Sequence, residues 1–134
     1  MMIDMNIVID TNVLVSAIMS PGRNATDIIC AAIAGRFTVC YDSRILEEYE
    51  RVLHYPKFGF SEWEIVSLLD PLIRNGLSVI PTLVKDPYFD KDPSDLKFYE
   101  VALFCDAILI TGNLKHYPSS KTIVEMSEFI KLYM

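Results

Sequence analysis

The stretch that most constrains this chain is Asn6 to Ile18, NIVIDTNVLVSAI. Ile7, Val8 and Ile9 form a β-branched run of the kind that fills a strand buried on both faces. Asp10, Thr11 and Asn12 interrupt it, and apolar residues return at helical spacing through Val13, Leu14, Ala17 and Ile18. Asp10 is thereby expected where a central strand ends and a helix begins. In an open α/β sheet that edge is where ligands bind. The plain structural alternative is that one of the three polar residues caps the helix. The other acids of the chain decide between the two.

Further along, Ser20 to Asn24 is turn chemistry, and a helix is predicted from about Ala25 to Ala34 with Ile28, Ile29, Ala32 and Ile33 inward. Gly35 closes it, and Phe37 to Tyr41 reads as a second strand. Asp42 or Ser43 caps a helix running to about Leu53, with Leu46, Tyr49, Val52 and Leu53 as its packed face. Glu47 and Glu50 point to water, whereas Glu48, four residues before Val52, borders the packed side. His54 stands as the partner of that helix's C-terminal dipole. A capping box at Ser61 to Glu64 opens a helix to about Arg74, which Pro71 is expected to kink or divide. Leu77 to Pro81 reads as a third strand.

The segment Thr82 to Pro93 is irregular, with two Asp-Pro steps, and holds Asp86, Asp90 and Asp92. Asp95 opens a helix whose apolar residues are Phe98, Tyr99, Val101, Ala102 and Leu103. Ala107 to Ile110 is a fourth strand that ends at the polar Thr111-Gly112-Asn113. Thr122 to Val124 is a last short strand, and Ser127 caps a final helix. Strands alternating with helices give an α/β fold, a parallel sheet of about five strands covered on both faces. A chain of 134 residues reads as one domain over residues 1–134, able to bury roughly two thirds of its unfolded surface.

Composition narrows the partners. At 51% apolar and 22% charged residues a packed core is expected, and no apolar run approaches the about 18 residues of a membrane span. The start, MMIDMN, has no basic residue and does not read as a signal peptide. Cys30, Cys40 and Cys105 form no CxxC; they read as buried, reduced thiols of a cytoplasmic protein, and zinc is disfavoured. The apolar excess of the chain, including Met5, Phe58, Phe60 and Trp63 in or near turns, points to self-association and to a small partner. The net charge of −6 opposes a nucleic-acid partner unless convergent carboxylates take up divalent cations, which reverse the local sign.

Such a convergence is expected, although each acid also has a structural reading alone, Asp95 as a helix cap and Asp92-Pro93 as a turn. Asp10 follows the first strand, Glu48 sits on the helix after the second, and Asn113 follows the fourth. Asp95, with Asp92 one turn before it, begins the helix that feeds the fourth strand. Clustered carboxylates hold protons unless a cation joins them. An all-oxygen set without His or Cys suits Mg²⁺ or Mn²⁺. Ions held this way take phosphate oxygens as further ligands and promote in-line displacement at phosphorus. No Ser–His–Asp or Cys–His set and no Walker or GxGxxG loop is present.

Four blocks, VIDTNVLVSAI, ILEEYERVL, DPSDLKFYEVAL and ILITGNLKHYP, in that order and spacing, resemble the PIN domain. More narrowly, the chain resembles the toxins of prokaryotic toxin–antitoxin pairs within that superfamily, over nearly its whole length. The resemblance implies a Rossmann-like α/β/α sandwich and a Mg²⁺- or Mn²⁺-dependent endoribonuclease, acting on RNA, dimeric, and inhibited by a cognate antitoxin. It places the family's first three acids on Asp10, Glu48 and Asp95. The fourth falls on Asn113, where many relatives carry Asp, so one charge is removed. Asp92 matches the first Asp of the subgroup's DPxD pattern and stands to compensate. Thr11 and Asn12 match the polar pair after the first acid, and Thr111 a position lining the same pocket.

Two other functions compete. A phospho-accepting receiver is of similar length and wound similarly, and Thr111 and Lys115 suit one. Receivers, however, place an acid pair after their first strand and an Asp after their third, and neither occurs here. A degenerate relative that only binds its partner or RNA is the second, and Asn113 is the kind of change it would carry. Arg23, Arg44, Arg51, Lys57 and Lys115 are the basic residues expected near the rim, and His116 is a candidate for touching substrate.

Overall fold

The computed structural model describes residues 5–134; the reading of the MMIDMN start rests largely on residues outside that range. The chain alternates as expected: β1 (Met5–Ile9), α1 (Thr11–Met19), α2 (Asn24–Ile33), β2 (Phe37–Tyr41), α3 (Ser43–Leu53), α4 (Glu62–Arg74) and β3 (Leu77–Ser78). Then come α5 (Leu96–Phe104), β4 (Ile108–Ile110), β5 (Ile123–Val124) and α6 (Met126–Tyr133). All strand pairs are parallel, in the order β3-β2-β1-β4-β5. Ile7, Val8 and Ile9 have no exposed surface, because β1 is paired on both edges and covered on both faces. Helix α5 packs across β1, β2 and β4, while α2 packs on β2 beside α1, α4 and α6. The result is the α/β sandwich that the alternation implied.

The order reverses between β1 and β4. The chain winds outward through β2 and β3, then returns to the other side of β1 for β4 and β5. Loops leaving the carboxyl ends of β1 and β4 diverge there and leave a crevice. Ile9 pairs with Ile110, so the residues that follow them, Asp10 and Thr111, are neighbours. The Asp10 N–H donates to the Ile110 carbonyl at 2.9 Å.

Two devices dock α3 onto this frame. The fully buried Tyr49 donates its hydroxyl to the Ile9 carbonyl at the end of β1, and its ring lies 6.4 Å from that of Phe98 on α5. Asp42 caps α3 by accepting from the Ile45 N–H at 2.9 Å. Its other oxygen accepts from Arg44 Nε at 2.8 Å, and Arg44 Nη1 donates to Glu100 on α5 at 2.9 Å. Glu100 is 2% exposed and also accepts from the Val84 N–H at 2.7 Å. A buried carboxylate is tolerated because donors surround it.

Several details differ from expectation. The packed residues of α3 are Ile45, Tyr49 and Leu53, at i, i+4 and i+8, and Leu46 and Val52 are half-buried. On α5, Leu103 is exposed, and Glu100 takes a buried place instead. Pro71 does not divide α4; it falls in the last turn, where little helix remains to lose, and its carbonyl accepts from the Asn75 N–H at 3.1 Å. The third strand, at the edge of the sheet with no outer neighbour among the described residues, ends at Ser78, although the Val79 N–H still donates to the Tyr41 carbonyl at 2.9 Å. Ser127 does not cap α6: Glu125, extended at φ −77° and ψ 164°, precedes a helix that begins at Met126. Of the cysteines only Cys40 is buried; Cys105 is half-buried and Cys30 exposed, since Cys30 falls on the far side of α2 from Ile28.

Glu100→Ala strands the Val84 N–H and leaves Arg44 with Asp42 alone. It is expected to cost about 2 kcal/mol in urea unfolding, with Glu100→Gln, which keeps an acceptor, costing less.

Candidate active site

Asp10 stands in the position before α1 with the extended backbone of a cap, φ −65° and ψ 146°, yet its carboxylate bonds nothing in that helix. Its Oδ2 instead accepts from the Thr111 hydroxyl and from the Tyr117 hydroxyl, each at 2.8 Å. The capping alternative is thereby removed. The carboxylate is 4% exposed. Burial is the main cause that pushes its pKa from an ordinary 3.8 up to about 6; the charges of Asp95 and Glu48 add to this, and the two hydroxyl donors oppose it. Burial likewise keeps the Tyr117 hydroxyl protonated, and so a donor.

Glu48 faces the same crevice from α3, while Glu47 and Glu50 are exposed as expected. Its Oε2 accepts from the Thr11 hydroxyl, and its Oε1 from Lys97 Nζ at 2.8 Å. Asp95 ends a 3₁₀ turn over Pro93–Asp95 and, like Asp10, makes no cap for the helix that follows it. Its Oδ2 accepts from His116 Nδ1 at 2.7 Å. The Asn113 amide meets His116 Nε2 at 2.9 Å, so both ring nitrogens of His116 are engaged. Burial raises the Asp95 pKa and the Glu48 charge adds to it, against the opposing pull of His116 and Lys97.

The supporting residues also bond across the reversal. Asn12 Oδ1 accepts from the Gly112 N–H at 2.9 Å, and a Cβ on Gly112 would stand 3.3 Å from that same oxygen, closer than most side chains tolerate. The Asn113 N–H donates to Thr111 Oγ1 at 3.0 Å, which in turn donates to Asp10. Asp92 is placed differently. Its carboxylate is exposed and turned onto its own loop, accepting from the Ser94 N–H at 3.1 Å and the Ser94 hydroxyl at 2.7 Å. Those bonds hold its pKa down, with smaller help from the charges of His116 and Lys97. It stands on the rim, beside the cluster and not bonded to it.

Three residues of this cluster escape a reading of the sequence. Tyr117 looks like a core aromatic, Lys97 like a solvated helix residue, and Tyr49 like part of a packed face. The one signal for Lys97 is its place two residues after Asp95. Of the basic residues expected at the rim, Arg44 is held by Asp42 and Glu100, and Arg51 by Glu47 and Tyr55 on the outer face of α3. Arg23, Lys57 and Lys115 are exposed.

Among the described residues no group of three or more His, Cys, Asp or Glu side chains is arranged to hold a metal ion. The donor chemistry nevertheless fits a hard cation. Asp10, Glu48 and Asp95 offer oxygen only, and each of the three pairs repels strongly enough to raise a proton affinity. Among the described residues no helix is long and apolar enough to cross a membrane.

A buried acid at the switch point of a 3-2-1-4-5 sheet, with two further acids facing it, defines an α/β domain with an acidic crevice. A sequence profile described as the PIN domain matches residues 6–115, from β1 to the turn after β4. The chain belongs to the PIN domain family, whose members are generally nucleases. No curated protein and no solved structure matches it.

The Asp10 shift carries a sign. Between pH 4 and 6 the folded chain keeps a proton that the unfolded chain has released, so stability falls as pH rises through that window. Asp10→Asn removes this loss. In chelator at pH 7 the variant is expected to be more stable than wild type by about 3 kcal/mol, a gap that closes toward pH 4 in urea unfolding.

Proposed function

We propose that this chain is a single-domain, divalent-metal-dependent endoribonuclease and the toxin of a toxin–antitoxin pair. The observation that carries the reading is Asp10, a buried carboxylate in a capping position that caps nothing and is held by two hydroxyls toward other acids. Asp10, Glu48 and Asp95 are the residues that would hold Mg²⁺ or Mn²⁺, with Asn113 and Asp92 at the rim. When bound, the ion supplies positive charge at phosphorus and an acidified water.

The chain's own groups then have defined tasks. Thr111 and Tyr117 fix the Asp10 carboxylate, so its orientation survives ionisation. Thr11 fixes Glu48, and His116 fixes Asp95 through Nδ1 while Asn113 holds its other nitrogen. The exposed Lys115 is available to backbone phosphates at the same rim. Trp63 at 79% and Ile80 at 92% exposure are large apolar groups in water, as a chain that docks a second copy or an antitoxin would present. The receiver reading has no support: a single acid follows β1, and β3 ends at Ser78 without one.

The test is cleavage of RNA by wild type, Asp10→Asn and Tyr117→Phe, each with Mg²⁺, Mn²⁺ or chelator. Wild type is expected to cut only with metal and Asp10→Asn not at all. Tyr117→Phe, which keeps the ring but frees one side of Asp10, is expected to slow cleavage about tenfold. Cleavage by Asp10→Asn at the wild-type rate would refute the site. A wild type that cuts nothing under any condition, yet binds RNA or a partner, is the degenerate relative.

A further inference from the structure

Glu48 has both carboxylate oxygens engaged by the chain itself, Oε2 by the Thr11 hydroxyl and Oε1 by the Lys97 ammonium at 2.8 Å. The pair is enclosed, with 14% of the Lys97 side chain and 13% of the Glu48 side chain exposed. Lys97 Nζ also donates to the Ser94 carbonyl, and lies 5.2 Å from the centre of the Phe98 ring. An ammonium drawn out of water on this scale is stable only while those partners compensate its lost hydration. The other basic side chains nearby have their own partners: Arg44 has Asp42 and Glu100, and His116 has Asp95. Among the described residues Lys97 is the one Lys or Arg in ion-pair contact with Asp10, Glu48 or Asp95. It therefore engages an oxygen of a carboxylate that would hold a divalent ion.

Resting on the metal-dependent reading above, we propose that Lys97 is an internal competitor for the cation. Its ammonium must leave Glu48 Oε1 before that oxygen can ligate a divalent ion, so Lys97 sets how tightly the site takes metal. A lysine suits this exchange: a compact charge on a flexible four-carbon stem leaves more readily than a bidentate guanidinium. Asp92, which already feels the Lys97 charge, offers a carboxylate on the far side of the Ser94 turn.

The experiment is calorimetric titration of chelator-treated protein with Mn²⁺, for wild type, Lys97→Met, Glu48→Gln and the double variant. Lys97→Met is expected to tighten Mn²⁺ binding about fivefold in the wild-type background, and by less than about twofold beside Glu48→Gln, where the contested carboxylate charge is gone. A second readout observes the exchange itself: the Lys97 ammonium ¹H–¹⁵N signal, protected in chelator, is expected to be lost on saturation with diamagnetic Mg²⁺. Unchanged or weaker Mn²⁺ binding by Lys97→Met overturns the proposal. So does equal tightening in both backgrounds, which marks a background charge, or an ammonium signal that Mg²⁺ leaves in place. If wild type binds no Mn²⁺, the metal-dependent reading falls together with this one. If wild type binds it and only these outcomes fail, the nuclease reading stands without the competitor.

Discussion

Burying one carboxylate at the end of β1 is the constraint on which the rest of this structure depends. Asp10 sits where the winding of the sheet reverses, and water there is replaced by protein. A carboxylate in that place needs donors, and Thr111 and Tyr117 supply them from the strand and loop on the other side of the reversal. Tyr117 must itself be held. Its ring packs against Phe89, 6.1 Å between centres, and Phe89 packs on Tyr99 of α5 at 5.2 Å. Phe89 belongs to a 3₁₀ turn opened by Asp86, whose carboxylate accepts from the Tyr88 N–H at 2.9 Å. The irregular stretch between β3 and α5 is thus built around the acid at the other end of the chain.

The two Asp-Pro steps in that stretch divide the labour. Asp86-Pro87 sets the turn that delivers Phe89 to Tyr117, and Asp92-Pro93 sets the turn that delivers Asp95 to the crevice. Proline fixes φ after each aspartate, and the aspartate side chain closes the turn two residues on. Glu48 arrives by another route, carried on α3 by the adjacent Tyr49, whose hydroxyl is pinned to the Ile9 carbonyl one residue before Asp10. Among the described residues Lys97, paired with Glu48, is the one Lys or Arg ion-paired to any of these three carboxylates, so the cluster keeps an excess of negative charge. That excess is what a hard cation would neutralise.

Much of this was legible in the sequence because it is local. The β-branched run before Asp10, the polar break after it and the spacing of Ile28, Ile29 and Ala32 each follow from one element's periodicity. Glu48 stood apart from Glu47 and Glu50 for the same reason, although the inward partner that fixes its side of α3 is Tyr49, not the half-buried Val52. What escaped is non-local. Tyr117 and Lys97 carry no pattern of their own; they matter because the β1–β4 reversal and the Asp92 turn bring them to acids 107 residues away in one case and on another helix in the other. Glu100 was hidden in the same way. Its buried place is visible only once Arg44 and the Val84 N–H are seen to converge on it.

Asn113 shows how the charge of such a site is balanced. The resemblance to the family places an acid at this position in many relatives, so an amide looks like a loss. Here the amide donates to His116 Nε2, and the same imidazole donates from Nδ1 to Asp95. A histidine with a single proton, on Nδ1, is enough for both bonds. An aspartate at 113 would accept and not donate, so His116 would have to carry two protons to hold both carboxylates. With the amide in place, Asp95 keeps its orienting partner without either a fourth negative charge or a second positive one in the crevice. The substitution therefore changes the charge count and the hydrogen-bonding demand on the histidine together. The hydrogen-bonded path from Asn113 through His116 to Asp95 stays intact.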